Sequence, residues 1–175
     1  FTPFALGTRQ ATINIQNDDA DEDPYTFTIQ GTGIYDPTSL SEINITGNMI
    51  GILAGDTSPH VPDGSDFGSI EVVGGFTANQ EFVVHNTGGD DLVLGDNPII
   101  AISGTHASDF TIISNPATLV APSSTVAFTV AFDPSGTGLR EANISIGNSD
   151  PTGGENPYSF NIQGTGITRS EERRV

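Results

Sequence analysis

A stretch at the start of this chain recurs near its end. Residues 1–34 read FTPFALGTRQATINIQNDDADEDPYTFTIQGTGI, and residues 132–167 read FDPSGTGLREANISIGNSDPTGGENPYSFNIQGTGI. The offset is 131 residues at the start and 133 at the end, the length of one small domain. The identities alternate. Phe1, Pro3, Gly7, Arg9, Ala11, Ile13, Ile15, Asn17 and Asp19 are matched by Phe132, Pro134, Gly138, Arg140, Ala142, Ile144, Ile146, Asn148 and Asp150. Tyr25, Phe27 and Ile29 are matched by Tyr158, Phe160 and Ile162, while Thr26 and Thr28 have become Ser159 and Asn161. A strand points successive side chains to opposite faces, so one face of each strand is shared and the other differs. The shared face is mostly apolar, as a sheet packed on a core requires. The connecting loop is rich in Asn, Asp, Gly and Pro, which predicts a hairpin, and it is longer by two residues in the second copy.

Residues 41–167 predict one complete domain with strands near 42–46, 49–53, 67–73, 80–86, 92–94, 99–103, 110–113, 125–132, 141–146 and 158–163. The third-last of these, TVAFTVAF, is strongly apolar on the face holding Val126, Phe128 and Val130. A single helical turn is expected at 105–109, and no helical period occurs elsewhere. Short strands with frequent turn signals indicate an all-β chain: an immunoglobulin-like β-sandwich of about 7–9 strands, preceded by a β-hairpin remnant of an earlier repeat. The expected organisation is hairpin 1–34, linker 35–40, complete repeat 41–167 and charged tail 168–175. Opening inside a repeat, the chain is expected to be a fragment or a processed form, with the array ending at the tail.

Composition narrows the function. The net charge is −17, which argues against nucleic acid as a partner and against attraction to an anionic membrane. There is no Cys, so disulfides and thiolate chemistry are absent, and all five basic residues are Arg. No apolar run approaches the roughly 20 residues of a membrane span, so no membrane insertion is expected in this segment.

The segments EINITGN, DFGSIEV, FVVHNTG, ISGTHASDFTI, VAFTVAFDPSGTGLREANISI and YSFNIQGTG together resemble a choice-of-anchor D repeat, a group similar to the abnormal-spindle/Hydin-like immunoglobulin-type sandwiches. The resemblance covers about 41–167, with the end of a preceding copy at 1–34. It implies a bacterial secreted or cell-surface protein of tandem modules, and it brings no catalytic residues with it.

Two acidic groups are candidate calcium ligands, because hard cations take oxygen donors: Asp18, Asp19, Asp21 and Asp23 in the first hairpin loop, and Asp56, Asp63 and Asp66 in a long loop, with Asp90 and Asp91 near the second. A solvated turn is the plainer reading of the first group, whose spacing is not that of an EF-hand. His60, His85 and His106 lack zinc-ligand spacing. The two GTG triplets continue into no dinucleotide fingerprint and read as glycines serving the backbone. The sequons at Asn44 and Asn143 fall within strands and are read as fortuitous. The repeated Arg9 and Arg140 are expected to pair with Asp19 and Asp150, or to lay their stems along the core. No catalytic residue is assigned and no cofactor is required.

A hairpin cut from its sandwich is marginal in water. Ile13, Ile15, Tyr25, Phe27 and Ile29 would lie bare, which makes them the expected assembly residues. They would pack within a longer array, on another copy by strand addition, or on 49–53 and the linker of their own chain. The sequence thus supports a non-catalytic spacer, stalk or filament subunit outside the cell, whose partners are other copies of itself or adjacent repeats. The alternative is an adhesin-like module that binds extracellular protein or glycan through loops 54–66 and 87–98. The absence of Trp, with only three Tyr, weakens a sugar-stacking site.

Overall fold

The computed structural model describes residues 7–34, 40–74, 77–95 and 97–168. Residues 1–6 of the expected remnant, 35–39 of the expected linker and 169–175 of the charged tail lie outside the described residues. The chain divides into two compact units, Phe1–Pro37 and Thr38–Val175.

The first unit is a hairpin of β1 (Gly7–Ile15) and β2 (Tyr25–Gly33). They pair antiparallel with Ala11 opposite Ile29, Ile13 opposite Phe27 and Ile15 opposite Tyr25. Threonine and isoleucine fill both strands, and such β-branched side chains favour the extended backbone.

The second unit holds β3 (Ile43–Gly47), β4 (Ile50–Ile52), β5 (Asp66–Glu71), β6 (Ala78–Asn86), β7 (Leu92–Val93), β8 (Ile100–Ser103), β9 (Phe110–Ser114), β10 (Leu119–Val120), β11 (Thr125–Phe132), β12 (Gly138–Ile146) and β13 (Tyr158–Ile167). One sheet runs β4-β3-β6-β11-β9 and the other β5-β13-β12-β8, while β7 and β10 pair with each other. Lettered in chain order, β3-β6-β11-β9 is the ABED sheet and β8-β12-β13 the CFG sheet of an immunoglobulin constant-type sandwich. β5 adds to the last strand in parallel. The expected fold class is the observed one.

β3 and β4 join through Asn48 and Met49, both at positive φ, as a two-residue hairpin turn requires. A 3-10 turn at Ala107–Asp109 occupies the expected helical turn. The two-residue β10 was not legible in the sequence, and β13 runs four residues past the expected end to Ile167.

Alternation places the core. Ile43, Ile45, Phe82, Val84, Phe128, Val130 and Phe132 line the inner face of one sheet, and Ala142, Ile144, Ile146, Tyr158, Phe160 and Ile162 that of the other; all are buried. Phe82 stacks on Phe128 at 5.3 Å between ring centres and meets Phe160 at 5.4 Å across the sheets. Phe132 stacks on Phe110 at 4.8 Å and reaches Phe67 at 5.9 Å.

The second GTG triplet sits on this packed face, where its glycines answer a demand for space rather than for unusual backbone angles. A Cβ on Gly164 would overlap the ring of Phe132, and one on Gly166 would overlap the Gly136 carbonyl. Phe132 is itself wedged between two rings and cannot retreat. At Gly166 the obstacle is backbone, so Gly166→Ala is expected to lower the urea midpoint by the equivalent of about 1–3 kcal/mol, the usual cost of overpacking. An unchanged midpoint would show that the turn at 134–136 yields.

Candidate functional site

The two hairpins are superposable in register. Gly7↔Gly33, Arg9↔Gly31, Ala11↔Ile29, Ile13↔Phe27 and Ile15↔Tyr25 in the first become Gly138↔Gly166, Arg140↔Gly164, Ala142↔Ile162, Ile144↔Phe160 and Ile146↔Tyr158 in the second. Their surroundings differ. Phe160 and Ile162 are 0% exposed, whereas Phe27 is 41% and Ile29 46% exposed. Ile15 and Tyr25 are about half exposed, and Ile13 is half-buried. The edges differ too. β12 is flanked by β8 and β13 by β5, while β1 and β2 pair only with each other among the described residues. The expected assembly residues thus form one apolar face with two unpaired edges.

The hairpin loops share a hydrogen-bonded scaffold. In the first, Asn17 Nδ2 donates to the Glu22 carbonyl at 2.9 Å, and the backbone amide of Asp19 donates to Asn17 Oδ1 at 2.7 Å. The Asn17 amide donates to Asp23 Oδ1 at 3.0 Å. In the second, Asn148 Nδ2 donates to the Glu155 carbonyl at 2.8 Å, and the Asp150 amide to Asn148 Oδ1 at 2.9 Å. The Asn148 amide donates to Asn156 Oδ1 at 3.2 Å. Both loops end in a cis X-Pro bond, Asp23-Pro24 and Asn156-Pro157. Hydrogen bonds from Asp21 hold the Asp19 carboxyl below its usual range. The matched Asn and Asp residues are therefore turn formers. Asp18, Asp19, Asp21 and Asp23 are not brought together as a metal-binding group. Among the described residues, Asp19 and Asp23 each accept a hydrogen bond from a backbone amide of their own loop.

The second acidic candidate is rearranged. Asp56, His60 and Asp63 bring their ligand atoms within 4.8 Å of one another, and Asp66 is not among them. Asp66 is drawn away because Oδ2 accepts from Gln163 Nε2 at 2.8 Å and Oδ1 from the Gly68 amide at 2.8 Å. Asp90 and Asp91 do not join the group either. His60 lacks zinc-ligand spacing in the sequence, and only the folded loop brings it beside Asp56 and Asp63. A further group, Glu42, Asp150 and Glu155, gathers where β3 meets the second hairpin loop. Burial, then the nearby Glu42 and Asp150 charges, push the Glu155 carboxyl up. Asp150 is occupied there: Oδ2 accepts from the Ile43 amide at 2.9 Å and Oδ1 from Thr152.

Arg140 corrects another expectation. Its Nε donates to the Gly136 carbonyl at 2.9 Å and lies 3.5 Å from Asp109 Oδ2, not against Asp150. Asp109 arrives on the 3-10 turn and is 2% exposed, and its Oδ2 accepts no hydrogen bond among the described residues. The other histidines serve strands. His85 Nε2 meets Thr46 Oγ1 at 2.9 Å, and His106 Nδ1 accepts from the Glu141 amide at 3.0 Å.

Comparison with known proteins yields fold relationships only. No protein-family model matches the sequence, and no curated protein matches it. Among solved structures, a protein of unknown function from Porphyromonas gingivalis W83 is similar at 13% identity and a TM-score of 0.51, covering 94% of this chain and 68% of that one. The ASH/PapD-like domain 7 of human CEP192 is similar at 15% identity and TM-score 0.43, over 79% of this chain and 92% of that one. A CARDB domain from Pyrococcus furiosus, solved with di-metal ions, is similar at 14% identity and TM-score 0.43, over 75% and 97%. The first likeness concerns fold alone. The immunoglobulin-like assignment itself rests on the strand order above.

Proposed function

We propose that this chain is a non-catalytic structural module of a secreted or cell-surface repeat protein of the choice-of-anchor D kind: a spacer, stalk or filament subunit joined head to tail. One observation carries the reading. β1–β2 repeats β12–β13 pair by pair, yet its apolar face is exposed where the other is buried. A face of isoleucine, tyrosine and phenylalanine is worth about 25 cal/mol per Å² when covered, so it gains from a partner sheet. The partner is another copy or an adjacent repeat, which supplies a covering sheet and flanking strands like those around β12–β13. Main-chain hydrogen bonds at the two open edges would supply register, as in strand addition. A contact of this kind is heterologous, so copies grow into chains unless a ring closes. The strongly acidic surface keeps non-cognate contacts weak.

The test compares the full chain with one that starts at Ser41. Light scattering and electron micrographs over a concentration series should show oligomers for the full chain, while the shorter chain stays folded by circular dichroism and monomeric. Equal assembly of the two chains, or a monomeric full chain throughout, would refute the hairpin as connector.

A further inference from the structure

The geometry points to a divalent transition-metal site formed by Asp56, His60 and Asp63 at the end of the sandwich. These residues lie on the segment between β4 and β5, which is held firmly in place. The Gly55 amide donates to the Ser159 carbonyl at 2.6 Å, and the Asn161 amide donates to the Asp56 carbonyl at 2.8 Å. One end of the loop is thereby stitched to β13. The other end closes on itself, with the Asp66 amide donating to the His60 carbonyl at 3.1 Å and the His60 amide to Ser65 Oγ at 2.8 Å. The three side chains are therefore presented from a fixed backbone, as ligand residues must be.

The second observation is the state of Asp63. It is 5% exposed, and its Oδ1 accepts from both the amide and the hydroxyl of Ser65. Its Oδ2 accepts no hydrogen bond among the described residues and faces His60 Nδ1 at 3.9 Å, beyond hydrogen-bonding reach. That oxygen belongs to a nearly buried carboxylate whose other oxygen is already engaged, so it is left for water or an ion to serve. A cation lying between Oδ2, the imidazole and Asp56 would satisfy it. Asp56 has an oxygen to give, since Oδ1 accepts from the Ser58 amide at 2.8 Å and Oδ2 takes part in no hydrogen bond among the described residues.

The donor set selects the ion. Calcium takes about 6–8 oxygen ligands and does not favour imidazole. Two carboxylates with one imidazole suit zinc, cobalt or manganese, with water filling the remaining positions. Tetrahedral zinc at about 2.0–2.1 Å from its ligands spaces them roughly 3.3 Å apart. The present spacing, within 4.8 Å, would close to that by small side-chain shifts on binding. The ion would tie the loop at 54–66 to itself across the end of β13.

The experiment uses the full chain freed of metal by chelator. Zinc and calcium are titrated separately by calorimetry, and cobalt is added while its visible absorption is followed. One zinc per chain is expected, with calcium at least tenfold weaker, and bound cobalt should show the intensified bands of a low-symmetry site with a nitrogen ligand. His60→Ala and Asp56→Asn should each weaken zinc at least tenfold. Both positions lie on the loop rather than in the core, and circular dichroism checks their folding. Glu155→Gln, in the other carboxylate group, should leave zinc binding unchanged. Absence of zinc binding, or binding that His60→Ala does not alter, or binding that Glu155→Gln abolishes, overturns the assignment.

Discussion

Truncating Phe160 to alanine is expected to cost the Thr38–Val175 unit about 3–5 kcal/mol, while the same change at Phe27 costs about 1 kcal/mol or less. The two residues are counterparts in the repeat and hold the same place in their hairpins, opposite Ile144 and Ile13. What separates them is cover. Phe160 is 0% exposed and packs at 5.4 Å on Phe82, which itself stacks on Phe128. Removing the ring leaves a cavity between two sheets whose strands cannot close on it. A domain of this size has about 5–15 kcal/mol to lose, so the variant sits at the margin of folding. Phe27 is 41% exposed, and its removal strips little buried surface from its hairpin. Its effect should instead fall on self-association. Urea unfolding by circular dichroism reads the first quantity and light scattering the second. A Phe27→Ala chain that assembles as well as the parent would refute the assembly role of that face.

Arg140→Met is expected to destabilise the same unit by about 3–5 kcal/mol, the cost of stripping a buried charge of its partner. Methionine keeps much of the stem volume, so the loss reports the guanidinium. That group donates to the Gly136 carbonyl at 2.9 Å, reaches the Thr137 carbonyl at 3.3 Å and faces Asp109 Oδ2 at 3.5 Å. Without it, Asp109 is left 2% exposed with an oxygen that accepts nothing. Adding Asp109→Asn to Arg140→Met should recover part of the loss, because the stranded charge is gone. The two changes then cost less together than in sum. Strict additivity would mean that Arg140 acts through the 136–137 turn alone. Arg140→Lys should also fall short of wild type, since an ammonium does not reproduce the forked donors.

Much of this molecule was readable beforehand. The alternating identities from Ala142 to Ile146 marked a buried strand face, and Val126, Phe128 and Val130 marked its opposite. Both readings rest on the period of two, which is a property of a strand by itself. The two-residue strand β10 was too short to carry that period. Partnerships were less accessible. Asp109 reaches Arg140 because a 3-10 turn delivers it to the start of β12, and nothing in the intervening 30 residues announces that meeting. His60 displaced Asp66 in the loop group because Gln163, on β13, claims the Asp66 carboxylate. In the run from Asp18 to Asp23, sequence counts the charges but does not show that Asp19 and Asp23 accept from amides of their own loop.

The chain's own order of residues determined that it forms strands, which face of each strand is apolar, and that one hairpin is made twice, because these follow from local alternation and turn chemistry. Tertiary structure alone decided that one hairpin is enclosed and its twin left open, which carboxylate meets which arginine, and which histidine joins two aspartates. Such meetings depend on how two sheets stack and where loops from distant segments arrive, and no local rule carries that information.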